Sequence, residues 1–208
     1  MTSSSFAELE FTELLYRESL QLRRKLSVSE FEELSLQYPS LRLEREANGK
    51  TTIMSPVKSG SGHRESLIHG FLFMWWYEQG RIGRIYSAST GIKLSSGSIK
   101  SPDCCWISDQ RLQNSPQFED DDWVTVVPNF VVEVSSVSDR INTLKDEMKR
   151  VWMRHGTELG WLISADTEEV WLYQADQQSP EYIRGFNNRK LEGGGVLKGF
   201  TFDLTELL

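Results

Sequence analysis

The stretch from Phe130 to Ser164 constrains the fold more than any other part of the chain. NFVVEVSS and LGWLIS (159–164) are short, apolar, rich in β-branched or aromatic residues and bounded by turn residues, as strands are. The segment between them reads as a helix from about Arg140 to His155, with Ser138-Asp139 as its cap and Gly156 as its stop. Strand, helix and strand in this order form a candidate right-handed parallel crossover. That unit calls for a sheet with a helix packed on its face, and the expected fold class is α/β, a mixed sheet flanked by helices.

The rest of the chain supplies more strands and helices. Residues 6–25 read as an amphipathic helix, with Ser5 and Glu8 as a capping box. Residues 1–26 are therefore expected to be an N-terminal helical extension, and 27–208 the main domain. Ser27 to Glu30 starts a second helix that Pro39 ends. LRLEREA (41–47), the Asn48-Gly49 turn and TTIMS form a hairpin signal. His63 to Gln79 reads as a helix that is apolar almost all round, buried or in an interface, with Gly80 as its stop. GRIYSAS (83–89) and GIKLS (91–95) read as strands, and LGWLIS with EVWLYQ (169–174) as a hairpin. Asp109 to Asp122 reads as an irregular acidic loop.

Several functions are disfavoured by these residues. The Ser- and Gly-rich loop from Pro56 to Gly62 lacks Gly-Lys-Ser/Thr, so it is not a phosphate-binding P-loop. His63, His69 and His155 lack zinc-motif spacing, and the adjacent Cys104 and Cys105 read as buried free thiols on opposite faces of a strand. No run is long enough to span a bilayer. MTSSSFAELE lacks the pattern of a signal peptide, so a cytoplasmic protein is expected. A net charge of −7 weighs against a nucleic-acid partner, although Lys145, Lys149, Arg150 and Arg154 form one of several local basic clusters.

Two short strands each carry a carboxylate where an apolar residue is expected. Asp103 follows Pro102 and precedes Cys104, Cys105, Trp106 and Ile107; Glu133 interrupts Phe130, Val131, Val132 and Val134. A carboxylate buried in a strand is costly unless it is paired, hydrogen-bonded or bound to a metal. If the two strands are neighbours, Asp103 and Glu133 lie close, and a cation between them relieves the repulsion. Oxygen-only ligands favour Mg²⁺ or Mn²⁺. Such an ion can activate water and clamp a phosphodiester.

On these residues the chain resembles the PD-(D/E)xK nucleases. More closely, it resembles a restriction-endonuclease family of the Uma-two type that is abundant in cyanobacteria. The matching stretches include LSVSEFEEL, LRLEREANGK, STGIKL, KSPDCCWIS, PNFVVEVSSVSD and LKGFTFDL, in order over about residues 27–208. The resemblance implies a restriction-endonuclease-like fold, Mg²⁺-dependent hydrolysis of DNA, and Asp103 and Glu133 as the metal-binding acids. It also implies a lysine on the following helix, where this chain has Glu147. Lys145 and Lys149 flank that position and are the candidate cations. One residue more than usual separates this point from Gly156, a spacing that could turn Lys149 inward. Glu65, near the start of the apolar helix, is a candidate auxiliary acid. A homodimer is possible, with Phe71–Tyr77 and the N-terminal segment as candidate surfaces. The alternative expectation is a catalytically inactive module of the same fold that binds DNA or protein. A glycosidase using the same two acids is a weaker third.

Overall fold

The computed structural model describes residues 11–12, 19–136 and 141–208. In chain order the strands are β1 (Phe11–Thr12), β2 (Ser19–Leu22), β3 (Leu43–Arg45), β4 (Thr51–Met54), β5 (Arg84–Ser87), β6 (Ile92–Lys93), β7 (Ile99–Lys100), β8 (Cys104–Ile107), β9 (Phe130–Val134), β10 (Leu159–Ser164), β11 (Glu169–Gln174), β12 (Glu181–Arg184), β13 (Lys190–Glu192) and β14 (Thr201–Asp203). The helices are α1 (Val28–Gln37), α2 (Ser59–Glu78), α3 (Asp109–Gln113) and α4 (Ile141–Glu147). Among the described residues, two six-stranded sheets form, ordered β1-β2-β4-β3-β7-β6 and β12-β11-β10-β9-β8-β5, with β13-β14 as a separate ribbon.

The second sheet holds the core. β9 and β10 pair in parallel, Phe130 with Leu159 through Val134 with Ile163, and among the described residues all other pairings are antiparallel apart from a single bridge between Ile92 and Val124. The crossover expected between these strands is present, and the mixed α/β class holds. One face of the sheet, with Cys104, Trp106, Phe130, Val132 and Trp161, packs against Ile68, Leu72 and Trp75 of α2 and against the C-terminal ribbon. The other face, with Cys105, Val131, Leu162 and Trp171, packs against Met148 and Trp152 beyond α4. Cys104 and Cys105 are free, buried and on opposite faces, as the strand alternation requires.

The helix after β9 changes geometry along its length. α4 continues as a π-helical turn over Met148–Trp152 and a 3₁₀ turn over Met153–His155, and Gly156 ends it with φ +107°. A π turn holds more residues than an α turn, which accommodates the extra residue noted before Gly156. Gly160 on β10 permits this packing: a Cβ there would lie 2.4 Å from the Met148 methyl carbon. The Ser138-Asp139 cap lies outside the described residues.

Other expectations are met or shifted. Ser27 and Glu30 form a full capping box on α1. β3 and β4 form the hairpin, and the turn places Gly49 at φ +86°. α2 starts at Ser59, four residues before the expected start, so half of the Pro56–Gly62 loop is helical. Its apolar surface is divided: Ile68, Leu72 and Trp75 are buried, whereas Phe73, Met74 and Tyr77 are exposed. Asp109–Gln113 is a short helix rather than loop, capped by the Ser108 hydroxyl. The helix expected over 6–25 is not what the described residues form. Ser19–Leu22 is a strand paired with β4 and Phe11–Thr12 pairs with it in turn. Alternating Leu20 and Leu22 suit a strand, and a free edge on β4 decides between the two periods. The Ser5–Glu8 capping box lies outside the described residues. Among the described residues, no helix is long and apolar enough to cross a membrane.

Candidate active site

The two sheets join at the three residues Ser101 to Asp103, between β7 and β8. This seam brings the first carboxylate into place. β8 pairs antiparallel with β9, Cys104 opposite Val132, and one further step puts Asp103 opposite Glu133. The Val134 N–H donates to Asp103 Oδ2 at 2.7 Å. Glu133 projects on the face of Val131 toward the π turn, where Trp152 Nε1–H donates to its Oε1 at 2.8 Å. Burial pushes the Glu133 carboxyl well above the usual carboxylate range, and the charges of Asp103, Glu147 and Glu44 push the same way. The Trp152 hydrogen bond opposes them.

A buried ammonium stands just ahead of Asp103 in the chain. Lys100 ends β7, three residues before Asp103, and its side chain is only 6% exposed. Its Nζ is 2.7 Å from Glu147 Oε1, 2.7 Å from Glu46 Oε1 and 3.1 Å from Glu44 Oε2. The pairing of β3 with β7, Arg45 opposite Ile99, puts Glu44 beside Lys100. Glu44 Oε1 also accepts the Ser101 N–H at 3.2 Å. Burial works against the charged amine, but the glutamates outweigh it and hold the Lys100 amine well above its ordinary value. Lys100 is therefore ionised throughout the neutral range. Glu44, Glu46 and Glu147 thus gather around one ammonium, and Glu44 and Glu147 also add to the negative charge that Asp103 sets beside Glu133, an excess that a divalent cation would relieve.

The structure brings together two of the five residues singled out from the sequence, Asp103 and Glu133. Lys145 lies elsewhere: its Nζ sits 3.8 Å from the centroid of the Trp171 ring on β11, a cation–π contact. Lys149 is exposed on the π turn, whose inward positions are Met148 and Trp152. Glu65 is half-buried on α2. Burial raises its carboxyl, and Arg42 is the charge that opposes this. Lys100, Glu44 and Glu46 were not singled out. The signals were present: a lysine just ahead of Pro-Asp, and two acids alternating with Leu43 and Arg45.

The donor set fits a hard ion. Among the described residues, no group of three or more His, Cys, Asp or Glu side chains is placed to hold a metal. Asp103 and Glu133 would hold one as a pair, leaving the other positions to water, which is how Mg²⁺ is commonly held.

Comparisons with known proteins agree with this architecture. A solved structure from Anabaena variabilis ATCC 29413, described as "a putative nuclease belonging to DUF820", superposes with a TM-score of 0.71 at 17% identity, covering 88% of this chain and 97% of that one. The fold is restriction-endonuclease-like. No curated protein matches the chain. The family model described as "Putative restriction endonuclease" matches residues 28–205, and it spans β3, β7, β8 and β9, the strands that carry the site; the chain belongs to this family, Uma2.

Proposed function

We propose that the chain is a divalent-metal-dependent endonuclease acting on DNA, with Asp103 and Glu133 as the residues that hold Mg²⁺ or Mn²⁺. The observation that carries the reading is the pairing of these two acids from adjacent strands, with Glu147 and Glu44 adding to the negative charge at Glu133. When bound, the ion supplies polarisation of a phosphoryl oxygen and a lowered pKa for water. The chain's own groups fix the geometry. The Val134 N–H orients Asp103, and the Trp152 indole orients Glu133 and keeps it from turning away. In the reaction a water oxygen bonds to phosphorus and gives up a proton to solvent, one ester P–O bond breaks, and the leaving oxygen takes up a proton in turn. Lys149, exposed on the π turn, would meet a backbone phosphate in this reading. Lys145 is committed to Trp171, and Glu65 would act only as a distant acid.

The reading includes a cytoplasmic location and a homodimer, for which Phe73, Met74 and Tyr77 on the exposed side of α2 are the surface. Nicking of supercoiled plasmid with Mg²⁺ or Mn²⁺ tests the activity. Cleavage is expected in the wild type and a loss of at least about 100-fold in Asp103→Ala, the scale on which removing a single stabilising group acts. Cleavage unchanged in Asp103→Ala would refute the assignment. A second reading, a catalytically silent module of the same fold that binds DNA or protein, draws on one observation: Lys100 is already shared among three glutamates. It predicts DNA retention without nicking under any divalent ion.

A further inference from the structure

We propose that Glu147 is a third acid of this site: Lys100 holds its carboxylate beside the Asp103–Glu133 pair, where it adds negative charge around the divalent ion and orders water in the ion's outer shell. The inference rests on the metal reading above and assigns a positioning role to a residue outside the pair.

Three features carry it. First, one helix tethers both acids. Trp152 donates to Glu133 at 2.8 Å, and Glu147, five residues earlier, meets Lys100 at 2.7 Å. Five residues is about one turn of a π segment, so Glu147 and Trp152 project from the same side of it. Second, the tether on the strand side is rigid. Lys100 is buried, three residues from Asp103, and Glu44 and Glu46 hold its remaining protons in place. Glu147 therefore cannot swing into solvent without breaking a buried ion pair. Third, Met148, the neighbour of Glu147, packs on the sheet face of Val131, the face Glu133 shares by strand alternation. A carboxylate that merely neutralised Lys100 would be redundant, since Glu44 and Glu46 already do so.

Glu147→Gln separates the two roles. The amide oxygen can still accept from Lys100 Nζ, so the hydrogen bond to the lysine is preserved, but the charge is gone. Calorimetric titration of MnCl₂ into the full chain, without DNA, reads the result. Wild type is expected to bind saturably, Asp103→Ala to lose binding, and Glu147→Gln to weaken it by about 10- to 100-fold, the scale for groups that support a metal's ligands. Glu147→Asp keeps the charge and is expected to bind more tightly than Glu147→Gln. Circular dichroism of each variant checks the fold. Wild-type affinity in Glu147→Gln, or equal weakening in both variants, would overturn the role of the Glu147 charge while leaving the metal pair standing. Absence of Mn²⁺ binding in wild type would overturn the metal reading itself.

Discussion

Lys100→Met is the substitution with the largest expected effect on stability. Methionine matches the lysine stem in volume, so the core around it stays filled, but Glu44, Glu46 and Glu147 lose their shared cation. At an effective dielectric near 20, each 2.7 Å contact carries about 6 kcal/mol of Coulomb attraction. Desolvation of the amine and repulsion among the glutamates offset most of that. Glu46 is 43% exposed and counts for little after screening. What remains is the breaking of a buried pair with Glu44 and Glu147, about 3–5 kcal/mol. For a chain of this size that is a fall in Tm of roughly 6–20 °C. The loss depends on pH with a defined sign. Burial already holds the Glu147 carboxyl above its ordinary 4.5 in the wild type, and loss of the amine removes the charge that pulls it down, so the variant's folded-state pKa lies higher still. The folded variant then binds more protons than the unfolded one, so its stability falls as pH rises through and beyond 4.5. The wild-type Lys100 amine is raised in the folded state, so its contribution is complete below 10.5 and does not change in this window. Urea unfolding with a chelator present, at about pH 4 and about pH 8, reads the difference. The gap between wild type and variant should be small in acid and full at the higher pH. An equal gap at both, or no gap, would show that the ammonium does not hold this cluster.

Two further substitutions probe the framework of the site. Ser27→Ala removes the α1 cap and is expected to cost about 1 kcal/mol, seen as a fall in Tm of roughly 2–4 °C. The same cap has an acid signature: the Ser27 N–H and Arg24 hold the Glu30 carboxyl down at about 2, so its contribution is present above 4.5 and fades as pH falls from 4.5 toward 2. Trp152→Phe keeps an aromatic ring in the core but deletes the donor to Glu133; leaving that oxygen unpaired should cost about 1–3 kcal/mol in denaturant unfolding.

The central part of the fold was legible because it is written locally. The crossover, the β3–β4 hairpin and the cap on α1 each follow from residues close in sequence, and so does the pairing of Asp103 with Glu133 once their strands are adjacent. Lys100 was not legible in the same way. Strand alternation says which face a residue takes, but not which strand lies beside it. Only the β3–β7 pairing, more than fifty residues apart in the chain, turns Lys100 and Glu44 into partners. The N-terminal segment failed for a related reason: an open edge on β4 gives Ser19–Leu22 a partner that a helical period cannot reveal.

Glu147 shows how such long-range pairing changes the meaning of a residue. Read along the helix it is an acid where a cation is expected, and that reading alone weakens the case for chemistry. In the fold, the cation arrives from β7, and the acid on the helix holds it. The buried positive charge thus comes from a strand and the acid from the helix, the reverse of the arrangement expected from the sequence. The exchange has a cost that a stable scaffold would avoid: more carboxylates than one ammonium can neutralise, partly withdrawn from water, with Glu133 driven far from its ordinary pKa. Local energetics of this kind run against folding and are expected where function requires them. A divalent cation is the simplest partner that makes the same arrangement favourable.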